Sequence, residues 1–250
     1  MAGHSKWSKI KRQKAVADVV KGKIFTKIIR EITIAAREGG GEISTNARLS
    51  LAIDNAKANN MPKDNIERAI KKGVGDVDGG SSYTEVIYEG YGPGGVAYLV
   101  EASTDNINRT VGEIRHLFSK HGGNLGMSGS VAYLFEQKGV ILLNNEKMDA
   151  DQLILDAIDA GAEDVDVNEI IEITTSRGDL YSVRQQLENK GYTIQSAELQ
   201  RIASTSVAVS EEDALLNFKL MDKLEDNDDV ANVFSNMEMS EATLQIAENM

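Results

Sequence analysis

The spacing of apolar residues changes at a glycine- and serine-rich stretch, residues 73–82, and this change most constrains the fold. Before the stretch, apolar residues recur every three or four positions, as on one face of a helix. After it, they alternate in residues 83–88 and 96–101, as in β-strands. The pattern predicts a helical domain, a flexible linker and a body that contains β-sheet, and 250 residues suffice for two or three domains.

Three helices are predicted before the linker, at 21–38, 45–59 and from Pro62 to 72. The first has an apolar face, and its basic residues gather on the opposite side: Lys23, Lys27, Arg30 and Arg37. Ile34 falls on this charged side of the predicted helix. Gly73 follows the third helix, where a glycine commonly ends a helix.

The body is predicted to begin with a hairpin, a helix over 106–120 that Thr104 and Asp105 cap, a glycine-rich loop over 122–129 and a strand over 130–135. The next elements follow the β-α-β-β-α-β order of a ferredoxin-like domain, at 140–143, 149–160, 163–167, 170–174, 179–190 and 193–199. A helix near 211–224 and a strand at Val233 and Phe234 are expected to supply the missing members of the unit that the hairpin begins, with the strand joining its sheet.

These elements predict a multidomain α+β protein. An N-terminal helical bundle is followed by two α/β ferredoxin-like domains, one of them inserted in the other. The expected boundaries are 1–75 for a basic helical domain with a flexible N-terminal arm, 83–138 plus 205–250 for a discontinuous α/β domain, and 139–204 for the inserted domain.

Charge is divided unevenly between the two parts of the chain. Residues 1–72 hold 16 Lys or Arg against 7 Asp or Glu, whereas 73–250 hold 11 against 32, so a formal charge of -12 conceals a basic front end. Such asymmetry is typical of a protein that binds a polyanion through one module.

The first residues contain closely spaced cations and Trp7, but almost no apolar helical face. A segment of this kind can lie along a phosphate backbone while an aromatic ring stacks on a base. A solvated tail or a mitochondrial presequence is the alternative, but the adjoining helix continues the positive charge. The predicted nucleic-acid-binding residues are His4, Lys6, Trp7, Lys9, Lys11, Arg12, Lys14, Lys21, Lys23, Lys27, Arg30 and Arg37.

Catalytic and metal-binding patterns are weak. The chain has no cysteine, and Gly90-x-Gly92-x-x-Gly95 precedes a strand rather than the helix that a dinucleotide fingerprint requires. His116 and His121 are five residues apart, which does not suit zinc ligands on one helix face, and His121 is expected to cap a helix. The acidic run 225–229 is interpreted as a solvated face. We therefore predict no enzyme, no cofactor, no metal and no small-molecule substrate.

No apolar run approaches the length of a membrane span, and lysines stand where a signal peptide would be apolar. We expect a cytoplasmic protein without a membrane partner.

Several strings in this chain resemble the YebC/PmpR family, which includes the mitochondrial translational activator of cytochrome c oxidase. They span residues 2–7, 22–32, 60–70, 88–97 and 104–110. The resemblance covers nearly the whole chain, and the stretch 42–47 lacks an expected proline. It implies three domains, the last inserted in the second, and a cytoplasmic, non-enzymatic protein. Members are described as probable DNA-binding transcriptional regulators or as ribosome-associated translation factors.

Two functional hypotheses follow, and both use the basic front end. The first is a DNA-binding regulator of transcription. The second is a translation factor or translational activator whose arm enters ribosomal RNA on the ribosome. A protein-binding adaptor would leave the basic half unexplained. A secondary contact is predicted at Asn106, Asn108 and Arg109, although helix capping is the simpler role of this region.

Overall fold

A computed structural model describes residues 17–75, 83–144, 149–168 and 170–250, and it confirms the α+β class. The helices of the described residues are α1 (Ala17–Gly39), α2 (Ala47–Ala58), α3 (Lys63–Gly73), α4 (Ile107–Lys120), α5 (Ala150–Ala160), α6 (Leu180–Asn189), α7 (Glu211–Glu225) and α8 (Glu241–Asn249). The strands are β1 (Thr84–Tyr91), β2 (Ala97–Thr104), β3 (Asn124–Leu125), β4 (Phe135–Asn144), β5 (Asp164–Val167), β6 (Ile170–Ser176), β7 (Ile194–Ala203) and β8 (Val230–Ser235).

The three predicted N-terminal helices are present as α1, α2 and α3. Ile28 and Ile32 of α1 are buried as the apolar period predicts, and Ile34 is also fully buried, which corrects its assignment to the charged side. Gly73 is the last residue of α3 rather than its stop. A Cβ on Gly73 would lie 2.5 Å from the carbonyl oxygen of Thr33 and 2.7 Å from the Cβ of Ala36, so this glycine permits close packing of α3 on α1.

The first sheet has the strand order β3-β1-β2-β8. The β1-β2 hairpin forms its centre, and Leu99 and Val100 pair with Phe234 and Val233. The expected addition of the C-terminal strand to this sheet is therefore confirmed. Strand β2 is buried on both faces, because Tyr98 and Val100 enter one apolar cluster while Leu99 enters another.

Residues 130–135 do not form the predicted strand. A short 3-10 turn, Ala132–Leu134, precedes β4, and a two-residue strand, β3, lies inside the expected loop. The carboxylate of Glu89 explains the difference, because it accepts hydrogen bonds from the backbone N–H groups of Gly129, Val131 and Ala132 at 2.6–2.7 Å. These donors are thus not available to a strand ladder. Burial favours the neutral acid, but the three hydrogen bonds outweigh it and lower the pKa of Glu89.

The second sheet has the order β5-β6-β4-β7. Its strands alternate with α5 and α6 in the predicted β-α-β-β-α-β sequence, and β4 and β6, the first and third strands of the motif, are antiparallel neighbours. Ile141, Ile173 and Leu153 belong to its fully buried core. The first sheet is connected differently from the second, because its two central strands, β1 and β2, follow each other in the chain and form a hairpin.

The described residues fall into two compact units. One contains 31–75 with 137–144, 149–168 and 170–201, and the other contains 17–30, 83–136 and 202–250. The three predicted domains and their boundaries are not tested by this division and stay a prediction. In the described part of the chain, no helix is both long and apolar enough to cross a membrane.

Candidate nucleic-acid interface

The predicted nucleic-acid-binding residues fall into three groups. His4, Lys6, Trp7, Lys9, Lys11, Arg12 and Lys14 lie outside the described residues. Lys21 is in α1, with a side chain that is not described, and Arg37 is exposed in the last turn of the same helix. The remaining three, Lys23, Lys27 and Arg30, lie in α1 within the second unit.

Lys23 and Lys27 contact the C-terminal end of α7. The Nζ of Lys27 donates to the carbonyl oxygen of Glu225 at 2.6 Å. The Nζ of Lys23 lies 3.3 Å from the Oδ1 of Asp226 and 3.4 Å from its carbonyl oxygen. The last carbonyls of a helix lack partners within the helix and carry partial negative charge, so they attract these ammonium groups.

Arg30 is held more firmly than either lysine. Its Nη1 donates at 2.8 Å to the Oδ1 of Asp229 and to the carbonyl oxygens of Asp228 and Ser103. The side chains of Arg30 and Asp229 are only 15% and 5% exposed, and the guanidinium lies 5.2 Å from the ring centre of Tyr83. Arg30 is thus part of a nearly buried ion pair.

Asp229 also accepts hydrogen bonds from the end of β2 and the first turn of α4. Arg109 Nη2 donates to its Oδ2 at 2.6 Å, and the hydroxyls of Thr110 and Thr104 donate to the same oxygen at 2.7 and 3.2 Å. Burial favours the neutral acid, but the hydrogen bonds from Arg109, Thr110 and Arg30 outweigh it and lower the pKa of Asp229 to about 2. The carboxylate is therefore ionised at physiological pH.

The predicted secondary contact residues are partly used by the fold. The Oδ1 of Asn106 accepts the backbone N–H of Arg109 at 3.1 Å, which makes Asn106, not Thr104 or Asp105, the N-cap of α4. Arg109 pairs with Asp105 as well as Asp229, and both hydrogen bonds raise its pKa. Asn108 is exposed.

The structure corrects the interpretation of residues 225–229 as a solvated acidic face. Asp229 is buried, and the segment meets three cations of α1. Sequence reasoning missed this pairing, although cations at positions 23, 27 and 30 share one helix face. Only the tertiary structure brings an acidic run about 200 positions away onto that face.

Two other expectations concern chemistry. His121 is the C-cap of α4, and its Nδ1 lies 2.8 Å from the carbonyl oxygen of Leu117, which confirms the capping role. Over 17–75, 83–144, 149–168 and 170–250, no group of three or more His, Asp and Glu residues is arranged to hold a metal ion.

The fold and this basic helix define an α+β protein with a cationic N-terminal helix. The N-terminal domain of TACO1/YebC proteins matches residues 5–76 of the chain, and the second and third domains of TACO1/YebC proteins match residues 83–237. Together these matches cover most of the sequence. The chain belongs to the TACO1/YebC family.

Relatives are similar over their full length. A probable transcriptional regulatory protein of Persephonella marina is 55% identical over 248 residues, which are 98% of this chain and 99% of that protein. One of Geobacter sulfurreducens, with the same description, is 52% identical over 241 residues, or 96% of this chain and 97% of the relative. The crystal structure of a conserved hypothetical protein, Aq1575, from Aquifex aeolicus has 48% identity and a TM-score of 0.84, and covers 91% of this chain and 94% of its own.

Proposed function

We propose that this protein is a non-enzymatic, DNA-binding regulator of transcription that acts in the cytoplasm through its basic N-terminal part. The observation that carries the proposal is the charge division: 16 basic against 7 acidic residues in 1–72, and 11 against 32 in the remainder. Phosphate neutralisation by lysine and arginine supplies most of the affinity for DNA. The acidic body, which we define as residues 73–250, repels phosphate and so limits contact to the basic end. The description of its relatives as probable transcriptional regulatory proteins supports the same function.

The proposed contact set is the arm, His4 to Lys14, with Lys21, Lys23, Lys27 and Arg37 of α1. Arg30 is left out of this set because Asp229 holds its guanidinium. If about six phosphates are engaged, the logarithm of the affinity falls with the logarithm of salt at a slope near -5. Affinity then decreases roughly 10³-fold between about 50 and 200 mM salt.

A charge-matched pair of variants tests the proposal. One variant replaces four lysines of the arm by Gln: Lys6, Lys9, Lys11 and Lys14. The other replaces by Gln four exposed basic residues that follow residue 73: Arg115, Lys120, Arg177 and Lys219. Binding to labelled duplex DNA is measured by fluorescence anisotropy over a salt series. In the arm variant, we expect the slope of log affinity against log salt to become shallower by up to about 3 to 4 units, because each lost phosphate contact removes about 0.9 unit. We also expect its affinity to fall at least about 10-fold.

The control variant should retain the slope, since its substitutions lie in the acidic body. Equal losses in both variants would refute a specific role of the arm. Crosslinking in cells, followed by sequencing of bound nucleic acid, distinguishes promoter DNA from ribosomal RNA. Recovery of ribosomal RNA, with ribosome co-sedimentation that requires residues 2–14, would replace transcription regulation by the translation-factor hypothesis.

A further inference from the structure

The cations that the proposed function assigns to nucleic acid are partly occupied by the chain itself. We define the acidic loop as residues 225–229, which link the end of α7 to β8. The loop receives Lys23, Lys27 and Arg30, at positions i, i+4 and i+7 of α1. These positions share one face of a helix, so the loop contacts the same side chains that a bound phosphate backbone would contact.

The contacts weaken along α1 toward its N-terminus. At one end, the Arg30–Asp229 pair is nearly buried and is reinforced by Arg109 and Thr110. At the other end, the side chains of Lys23 and Asp226 are 44% and 40% exposed, with 3.3 Å between Nζ and Oδ1. Exposed ion pairs contribute little stability and are screened by salt, whereas a buried pair is costly to break.

The difference in exposure between the two ion pairs indicates different roles for the lysines and for Arg30. Resting on the proposed function, we propose that the acidic loop is an internal competitor of nucleic acid for Lys23 and Lys27, while Arg30 anchors α1 to the loop. Nucleic acid that reaches α1 displaces the carboxylate of Asp226 from Lys23 and the carbonyl of Glu225 from Lys27. The Arg30–Asp229 pair stays closed, so α1 keeps its place when the lysines exchange partners.

Competition with the loop affects which anionic ligands can bind to Lys23 and Lys27. A single phosphate gains little by replacing one carboxylate, because the exchange substitutes one anion for another. A polyanion that already occupies the arm presents several phosphates at high local concentration and can displace the loop. The loop therefore favours extended nucleic acid over mononucleotides and free phosphate.

Asp226→Asn tests the competition, with Asp228→Asn as the matched control. Both variants remove one negative charge from the loop. The carboxylate of Asp226 pairs with Lys23 and, at 3.4 Å, with Lys223, whereas the carboxylate of Asp228 makes no ion pair within the described part of the chain. The probe is labelled duplex DNA at about 50 mM salt. We expect D226N to bind up to about five-fold more tightly than the wild-type protein, as the loss of an exposed ion pair allows.

D228N should change affinity less, because it alters only the general charge of the loop. The advantage of D226N should also shrink at higher salt. Equal effects of D226N and D228N, or no effect of either in a protein whose binding depends on the arm, would overturn the competition and leave the proposed function intact. Absence of binding in every variant would instead refute the proposed function.

Carbodiimide crosslinking of the wild-type protein provides a second measurement. This reagent joins an amine directly to a contacting carboxylate, so a Lys23–Asp226 crosslink is expected in the absence of nucleic acid. Duplex DNA should reduce its yield in proportion to occupancy. A yield that is constant at saturating DNA would contradict displacement, even if D226N proved unstable.

Discussion

Asp229 lies between two arginines, Arg30 and Arg109, and two threonine hydroxyls. Its lowered pKa follows from these donors, since they favour the ionised form more strongly than burial opposes it. One side chain therefore connects α1, the start of α4 and the loop before β8. The sequence offered no local sign of this role, because Asp229 is one of several neighbouring acidic residues.

Replacement of Asp229 by Asn should lower the free energy of unfolding by about 3 kcal/mol at neutral pH, because it leaves Arg30 without its charge partner. The folded pKa, about 2, is below the ordinary value of 3.8. The ionised carboxylate thus stabilises the fold above about pH 4, and this contribution is lost as pH falls through about 2. Urea denaturation at several pH values should show the difference from wild type shrinking as pH decreases.

Asp228→Asn is the control for this prediction. It removes the same charge from an exposed neighbour and should change the free energy of unfolding by no more than about 0.5 kcal/mol. A difference between wild type and D229N that stays constant down to about pH 2 would show that the pKa of Asp229 is not lowered.

At the level of elements, close contact between α1 and α3 depends on the absence of a side chain at Gly73. The carbonyl of Thr33 and the Cβ of Ala36 occupy the space that a Cβ would need. The sequence suggested a different reason for this glycine, the end of a helix, because glycine is typical of both situations. Only the packing of the two helices separates the two explanations.

Gly73→Ala should therefore lower the free energy of unfolding by about 1 to 3 kcal/mol, since backbone atoms must move to admit the methyl group. Gly112→Ala in α4 is the matched control, because no atom beyond its chain neighbours and the adjacent backbone of its own helix lies within 4 Å of the added Cβ. That variant should be neutral or more stable by up to about 1 kcal/mol. Thermal and urea denaturation of both variants measures the contrast, and a G73A protein as stable as wild type would disprove the packing explanation.

At the level of the whole molecule, positive and negative charge belong to different parts of the chain. Acidic residues at the start of β5, such as Glu163 and Asp164, are exposed, whereas the basic residues concentrate before residue 73. A polyphosphate is attracted to one part and repelled by the other. We therefore expect bound nucleic acid to contact a restricted set of lysines.

Lysine modification followed by mass spectrometry should reveal this footprint. Duplex DNA is expected to protect Lys21, because phosphates would occupy its ammonium group. Lys23 and Lys27 should gain less protection, because the acidic loop already contacts them without DNA. Lys190 and Lys219, in the acidic body, should react equally with and without DNA and serve as internal controls. Protection of Lys190 and Lys219 with no change in α1 would contradict binding through the basic end.

Much of the fold was predictable from the sequence. The period of 3.6 in residues 21–38 corresponds to α1, and alternation located β1 and β2, because local apolar spacing decides which face of an element is buried. The strand predicted at 130–135 was wrong, since Glu89, about 40 positions away, takes the backbone donors of that segment. Helix α8 was missed.

The sequence alone determined the order of most helices and strands and the separation of charge, because these depend on neighbouring residues and on composition. Tertiary structure decided which charges meet. Lys27 and Glu225 are 198 positions apart, and no local pattern encodes their contact. Their pairing depends on where α1 and the end of α7 lie in the folded chain, where hydrogen-bond geometry and burial select the partners of each cation.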